Sequence, residues 1–203
     1  MALDTLANLK LAITERLDIG SAMSNTQLDD VIRFAENKVV KKLRVRDMES
    51  ALASTIAADG TSAVPTGYLD LKYAYVNTSP IRKLERKAPE WIYEKYPARA
   101  LGQESFIARE GSNFIFGDAG TPGRIVKGIY YASPTAMTAT INSLFTAYPE
   151  VYFFAALSEC ESFIGRDDRI NLWESKYQQV LTFANQQDKD EGFGGGPISA
   201  TTS

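Results

Sequence analysis

The feature that most constrains the fold is a change in hydrophobic period along the chain. In residues 4–18 and 28–43 the apolar side chains recur every three or four residues, and the same spacing returns in residues 148–187. Between these segments, the stretch GYLDLKYAYVN alternates apolar and polar residues with a period of two. The first spacing is typical of amphipathic helices and the second of half-buried strands. We therefore expect helical segments on both sides of an inserted β structure.

The N-terminal segment predicts two helices. The first is expected over Asp4–Asp18, with Gly20 close to its end. Ser24 and Gln27 have the spacing of a capping box and predict the start of the second helix. The apolar stripe of that helix consists of Leu28, Val31, Ile32, Ala35, Val39 and Leu43.

The middle of the chain predicts a small, mainly antiparallel β unit. YLDLKYAYV is expected to form a strand with Leu69, Leu71, Tyr73 and Tyr75 on one side, followed by the turn NTSP and a returning strand in PIRKLE. APEWIYEKYP predicts a short helix, and SFIAREGSNFIFGD predicts a hairpin around its glycine. GRIVKGIYYASP supplies a further strand.

The last third returns to helical spacing. Helices are expected from about Tyr148 to Ile164 and from Asp168 to Gln187, followed by the glycine-rich tail DEGFGGGPISATTS. The predicted fold class is α+β, with N- and C-terminal helix pairs packed as one bundle that carries the β unit. The predicted domains are a helical bundle over residues 1–48 and 136–190, a β-rich domain over 49–135 and a flexible tail over 191–203.

The composition excludes several kinds of active site. The chain of 203 residues has no histidine and one cysteine, so Ser-His and Cys-His nucleophiles, imidazole ligands and zinc-thiolate clusters are not available. The single cysteine fits synthesis in a reducing cytoplasm. A net charge of −3 argues against a general nucleic-acid binder, and no apolar run is long enough to predict a membrane-spanning helix. We predict no catalytic residue, cofactor or metal site, although carboxylate or lysine chemistry stays open.

The stretch SECESFIGRDD could be read as a reactive thiol with acidic helpers, but helix geometry favours a structural interpretation. Cys160 lies on the apolar side of its helix, and Glu159 and Glu161 are each displaced by roughly 100° around the axis. Nearby carboxylates would also raise the thiol pKa, which disfavours a nucleophile. Gly165 is expected to end this helix, and Asp167 or Asp168 to cap the next.

One cluster of basic residues invites two interpretations. Lys38, Lys41, Lys42 and Arg44 follow one another near the end of the second predicted helix, with Arg33 further upstream. Cations there complement the helix dipole and form a solvated face. Alternatively, the cluster binds nucleic acid or an acidic surface of a partner protein.

Several patterns resemble the head-to-tail adaptor (connector) proteins of tailed bacteriophages. VPTGYLDLKYAYVNTSPIRKLE is similar to a strand of that family in which a proline leads to Y-L-x-L and then to an N-x-S-P turn. AYPEVYFFAALSECESFIGRDDRINLWESKYQQVLTFANQQDK resembles its closing helical pair, with a YPE entry and a W-E-x-K-Y helix. The resemblance extends to about Asp190.

The resemblance implies a structural virion protein without enzymatic activity. Such proteins form a ring of twelve copies beneath the portal protein, extend the channel through which genomic DNA passes without sequence-specific binding, and dock tail, nozzle or tail-tube proteins. The expected location is the head–tail neck of the virion, after assembly in the host cytoplasm and without a membrane partner. The reaching terminal segment would be GFGGGPISATTS, with Phe193, Pro197 and Ile198 as anchors. The alternatives are a stopper-like or tail-completion protein, a carboxylate-dependent enzyme and a DNA-binding regulator.

Overall fold

The structure is a computed structural model that describes residues 3–19, 23–98, 102, 104–118, 120–137, 140–165 and 169–192. The chain divides into two compact units. One, here called the helical unit, comprises Met1–Met48 and Pro134–Ser203, and the other, the sheet unit, comprises Glu49–Ser133.

The described residues form six α-helices and seven strands. The helices are α1 (Leu6–Leu17), α2 (Asn25–Lys42), α3 (Pro89–Lys95), α4 (Ser143–Ala147), α5 (Pro149–Ile164) and α6 (Ile170–Gly192). The strands are β1 (Glu49–Thr55), β2 (Ser62–Ala63), β3 (Tyr68–Val76), β4 (Arg82–Arg86), β5 (Phe106–Glu110), β6 (Asn113–Phe116) and β7 (Ile125–Ala132).

The predicted start and apolar stripe of α2 are confirmed. The Ser24 hydroxyl accepts a hydrogen bond from the Gln27 amide, and the Gln27 side chain accepts one from the Ser24 amide, which completes the capping box. All six residues of the predicted α2 stripe are buried. At the end of α1, Asp18 adopts the left-handed conformation with φ 49°, and Gly20 lies outside the described residues.

The centre of the helical unit is α5. Its buried residues lie on several sides of the helix, and it packs against α1, α2, α4 and α6. A helix that is apolar around most of its circumference is stable only when it is surrounded by other elements. This requirement places α5 inside the unit and leaves the more polar α2 and α6 to expose one face each.

The sheet unit contains a single mixed sheet with strand order β1-β7-β3-β4-β5-β6-β2. Neighbouring strands are antiparallel, except that β4 and β5 are parallel. The two end strands, β1 and β2, contact each other: the Ser62 hydroxyl donates to the Ser54 hydroxyl at 2.6 Å, and Ser54 donates to the Ala63 carbonyl at 3.0 Å. The sheet is therefore nearly closed around its apolar core.

The predicted fold class is wrong. The protein is a mixed α/β structure whose described residues form six helices and a nearly closed seven-stranded sheet, not a helical bundle with a small inserted antiparallel β unit. Sequence periodicity missed β1, because ESALAST has few large apolar residues, and it missed β2, because that strand has two residues. Both are held by pairing with distant strands, so a local pattern could not predict how far the sheet extends.

The prediction that Leu69, Leu71, Tyr73 and Tyr75 share one side of β3 is also wrong. Leu71, Ala74 and Val76 are buried, whereas Tyr73 is 46% exposed. The pairing of β3 with β7 shifts register between Leu71 and Tyr73, and a β-bulge there reverses which alternate residues point inward. A strict period of two assigns alternate residues to opposite faces, so it cannot account for the extra residue of a bulge.

Candidate partner-binding surface

Lys38, one of the four predicted basic contact residues, is used within the helical unit. Its ammonium group donates to Ser158 at 2.9 Å, to Glu159 at 2.8 Å and to Glu174 at 2.6 Å. It also lies 5.1 Å from the centre of the Tyr177 ring. One cation thus ties α2 to α5 and α6, and this side chain is not available to an external partner without breaking those contacts.

Arg44 takes part in ending α2. Its guanidinium donates to the carbonyls of Val40 and Leu43 at 2.9 and 2.6 Å, and its amide donates to the Asn185 side chain at 2.8 Å. The last carbonyls of a helix lack intrahelical donors and carry partial negative charge, so a cation here satisfies both needs. The helix-dipole interpretation of the cluster describes Arg44 well.

Lys41 and Lys42 differ from their neighbours because both are exposed. The Lys42 ammonium lies 5.9 Å from the centre of the Tyr177 ring, a weak contact that leaves its charge facing solvent. Of the predicted basic contact residues, these two form the part that a partner can reach. The charge of Lys42 is partly offset by Glu174, whose pKa that charge helps to lower.

The helical unit also exposes large apolar side chains that the sequence analysis did not select. Phe183 on α6 is 69% exposed and Phe34 on α2 is 55% exposed. Leu172, at 49% exposed, lies eleven residues before Phe183 and therefore on nearly the same side of α6. Exposed apolar side chains of this size mark interaction surfaces when they recur on one face. The available signal was an aromatic residue on the polar side of an amphipathic helix.

The structure confirms that Cys160 is a packed core residue. It is fully buried, and its sulfur lies 3.7 Å from the sulfur of Met23. Burial raises the pKa of the thiol to about 12, and the charge of Glu161 adds to that rise. The adjacent Glu161 is itself buried, where it accepts from Arg169 at 3.1 Å and from the indole of Trp173 at 3.3 Å.

The turn after α5 is described in part. Gly165 ends the helix in the left-handed conformation with φ 75°, as its spacing predicted. The predicted caps Asp167 and Asp168 lie outside the described residues, as do the predicted tail anchors Phe193, Pro197 and Ile198.

The buried acids among the described residues are held by separate partners. Glu36 in α2 accepts from the Met137 amide and from the side chain of Asn142, each at 3.0 Å, and burial raises its pKa against the effect of the Met137 hydrogen bond. Glu104, in the sheet unit, accepts from the Thr121 amide at 2.6 Å and from Arg124 at 2.7 Å. Burial by itself would raise the pKa of Glu104, but these hydrogen bonds outweigh it and lower the pKa.

Two kinds of feature are absent from the part of the chain that the structure describes. Cysteine, aspartate and glutamate side chains in those ranges form no group of three that could hold a metal ion. None of the helices there combines the length and the apolar character that crossing a membrane requires.

Comparison with known proteins identifies the family. No curated protein matches the chain. The SU10 adaptor protein family matches residues 4–200, which is nearly the whole sequence and includes both units and the segments that carry the phage-adaptor resemblance. The chain therefore belongs to the SU10 adaptor protein family, a family of phage head-to-tail adaptors.

Proposed function

We propose that this phage adaptor forms a ring of twelve copies beneath the portal protein, extends the DNA channel and docks tail proteins. The observation that carries the proposal is family membership across residues 4–200. In the virion, the protein would occupy the head–tail neck, after assembly from subunits in the host cytoplasm. Its role would be structural rather than enzymatic, with genomic DNA passing through the ring without sequence-specific contacts.

The surface of the helical unit supports a role in assembly. Phe34, Leu172 and Phe183 expose apolar area that identical copies could bury against one another. Lys41 and Lys42 add exposed positive charge that an acidic patch on the portal or on a neighbouring copy would complement. Specific protein interfaces commonly combine buried apolar side chains with charged residues at their edges.

The direct test is to mix the purified protein with portal rings of the parent phage and to image the product by electron microscopy. The expected result is a second ring on one end of the portal, with symmetry that gives the number of copies. Portals that stay undecorated at saturating protein would refute the adaptor arrangement. Binding to a different neck or tail component instead would reassign the protein to a stopper-like or tail-completion role.

Variants of exposed residues locate the interface. Phe183→Ser should weaken ring assembly without lowering the thermal stability of the monomer, because the side chain is 69% exposed. Ile81→Ser is the matched control, because Ile81 is 65% exposed but belongs to the sheet unit. Equal effects of the two changes would contradict a role for the helical surface.

Charge reversal tests the basic cluster. Lys41→Glu with Lys42→Glu is the informative pair, because both residues are exposed, whereas changes at Lys38 and Arg44 would also break contacts within the helical unit. We expect slower portal decoration, and added salt should no longer slow it further, because the reversed charges repel the acidic patch and salt screens that repulsion. Unchanged decoration would leave only the helix-dipole and solvated-face interpretation of the cluster.

The tail is proposed to reach the portal or a neighbouring copy, with Phe193, Pro197 and Ile198 as its anchors. Deleting the residues after Gly192 leaves α6 complete. The truncated protein should keep its helical circular dichroism and bind portal rings more weakly. Full binding by the truncated protein would exclude these three residues as anchors.

A further inference from the structure

The sheet of the sheet unit divides between β3 and β5. Strand β4 pairs with β3 over Ala74–Val76 and with β5 over Phe106–Ile107, so the first half of β3 and the last half of β5 flank an opening. A guanidinium nitrogen of Arg86 donates to the Leu71 carbonyl at 2.7 Å, where a neighbouring strand would otherwise contribute an amide. The opening contains a pocket of about 80 Å³. It is lined by Tyr68, Leu71, Arg86, Lys87, Ile107, Ala108, Arg109 and Phe114.

Two arginines approach the same tyrosine in this pocket. The Arg109 guanidinium lies 5.1 Å from the centre of the Tyr68 ring. Burial raises the pKa of the Tyr68 hydroxyl. The positive charges of Arg86 and Arg109 oppose that rise and the negative charge of Asp70 adds to it, which is consistent with all three charged groups lying near the tyrosine. One acid, Asp70, pairs with Arg86 at 2.6 Å. Two guanidiniums therefore face one carboxylate, and the pocket keeps a net positive charge.

The pocket offers donors that the described residues do not use. In that part of the chain the Tyr68 hydroxyl makes no hydrogen bond, and Arg109 has no carboxylate within 4.0 Å. The one hydrogen bond described for the Arg109 guanidinium runs from its Nε to the Gly111 carbonyl at 3.1 Å, which leaves its terminal nitrogens to face a ligand. A planar guanidinium beside a hydroxyl donor suits the two oxygens of a carboxylate.

We propose that this pocket, here called the Tyr68 pocket, binds a carboxylate carried by an extended segment of a partner protein. Arg109 and the Tyr68 hydroxyl would donate to the carboxylate, while Leu71, Ile107 and Phe114 would contact the apolar atoms next to it. An extended segment fits, because the open edges of β3 and β5 flank the pocket and favour strand-like partners. The inference does not depend on the proposed ring.

The surroundings favour a polypeptide over nucleic acid. Asp70, Glu85 and Glu110 lie on the strands around the pocket but are not among its lining residues, whose charged members are Arg86, Lys87 and Arg109. The three acids would repel the successive phosphates of a nucleic-acid backbone that runs past the pocket, whereas a single carboxylate inside it meets the cationic lining. The volume of about 80 Å³ accommodates a few water-sized groups, given about 10–15 Å³ for each, and so suits one carboxylate but not a base with its sugar.

The test is an NMR titration of the full-length protein with a defined probe, the peptide acetyl-Thr-Val-Glu-Val-Thr-amide. We expect saturable shifts at the side-chain signals of Tyr68, Arg86 and Arg109, with binding about ten-fold weaker when glutamine replaces the glutamate of the peptide. Arg109→Gln should abolish the glutamate preference, and Tyr68→Phe should reduce it while leaving the sheet packed. Lys83→Gln is the matched control, because Lys83 is an exposed cation on β4 that does not line the pocket.

Four results would overturn the proposal. The first is an equal response to the glutamate and glutamine peptides, and the second is an equal loss in the Lys83→Gln control. The third is binding of inorganic phosphate at these residues without binding of the peptide. The fourth is tighter binding of a short oligothymidine strand than of the peptide, which would assign the pocket to nucleic acid.

Discussion

Replacing Lys38 by methionine should destabilise the helical unit, because Lys38 connects three helices. Methionine keeps the apolar stem but removes an ammonium that contacts Ser158, Glu159 and Glu174 at 2.6–2.9 Å. The side chains of Lys38, Glu159 and Glu174 are 22%, 30% and 36% exposed, so the two ion pairs are neither fully screened nor fully buried. The Lys38→Met change would also leave Glu159 and Glu174 without the cation that they share.

The magnitude follows from this partial exposure. An exposed ion pair contributes roughly 0.2–1 kcal/mol, and a hydrogen bond to a charged group about 1.5–3 kcal/mol. Two pairs at intermediate exposure, together with the Ser158 contact, therefore predict a loss of about 2 kcal/mol. For a chain of 150–250 residues this corresponds to a fall in Tm of about 4–8 °C.

The assay is urea unfolding followed by the fluorescence of Trp173, measured in a Trp91→Phe background so that only the helical unit is reported. Lys41→Met is the matched control, because Lys41 is exposed on the same helix, and we expect a change within about 0.5 kcal/mol. A loss below about 0.5 kcal/mol for Lys38→Met would refute the view that Lys38 joins the three helices.

The pH dependence provides an independent check. Burial alone would lower the pKa of Lys38, but the hydrogen bonds and charges of Glu159 and Glu174 outweigh it and raise the pKa above 10.5. Burial would raise the pKa of Glu174, but the hydrogen bond and charge of Lys38 help to bring it below 4.5. The contribution of Lys38 to folding stability is thus complete below pH 10.5 and is lost as the pH rises through the pKa of Lys38 in the folded protein. The contribution of Glu174 is complete above pH 4.5 and is lost as the pH falls through the pKa of Glu174 in the folded protein. The stability difference between wild type and Lys38→Met should shrink at both extremes.

Four further predictions concern three buried positions, Glu36, Gly128 and Cys160, and the exposed Gly111. Glu36→Gln should stabilise the helical unit at pH 7, because the amide oxygen can keep the hydrogen bonds while the cost of burying a charge disappears. Since burial raises the pKa of Glu36, this gain in stability should shrink as the pH falls from that raised pKa toward 4.5. A variant that is less stable than wild type at pH 7 would contradict this reasoning. Gly128→Ala should unfold the sheet unit or cost more than about 3 kcal/mol, because a Cβ there would lie 2.1 Å from a backbone oxygen of β3. Gly111→Ala, whose Cβ meets nothing within 4 Å at φ +58°, should cost about 1–2 kcal/mol from backbone strain alone, and circular dichroism melts compare the two. Cys160 should resist a thiol reagent such as DTNB in native buffer and react fully in denaturant, because the thiol is fully buried and its pKa is raised to about 12. Fast labelling of the native protein would contradict the packing of Cys160 in the core.

Local signals in the sequence predicted much of the helical unit. The capping box at Ser24, the buried stripe of α2 and the end of α5 at Gly165 are found as expected, because each depends on residues within one or two helical turns. The same spacing placed Cys160 in the core and thereby removed the most obvious candidate nucleophile. It did not show that Glu161 is buried as well, since that depends on contacts with Trp173 in α6 and with Arg169 just before it.

The candidate surface was predictable in part. Lys41 and Lys42 are exposed, but their neighbours Lys38 and Arg44 contact other parts of the helical unit. A run of basic residues in sequence says which charges are near one another, and it does not say which of them find partners after packing. The exposure of Phe34 and Phe183 was not predicted, because helical spacing identifies the apolar residues that share a face with the core and these two lie off that face.

By itself, the sequence determined the position of most helices, the absence of histidine chemistry and the resemblance to phage adaptors, because these properties reside in composition and in short-range spacing. Only the tertiary structure decided the fold class. The extent of the sheet depends on pairing between β1 and β7 and between β2 and β6, the bulge in β3 depends on its register with β7, and the Tyr68 pocket depends on where β4 stops pairing with β3. Hydrogen bonds between strands far apart in the chain decide all three, and no window of local periodicity contains both partners of such a bond.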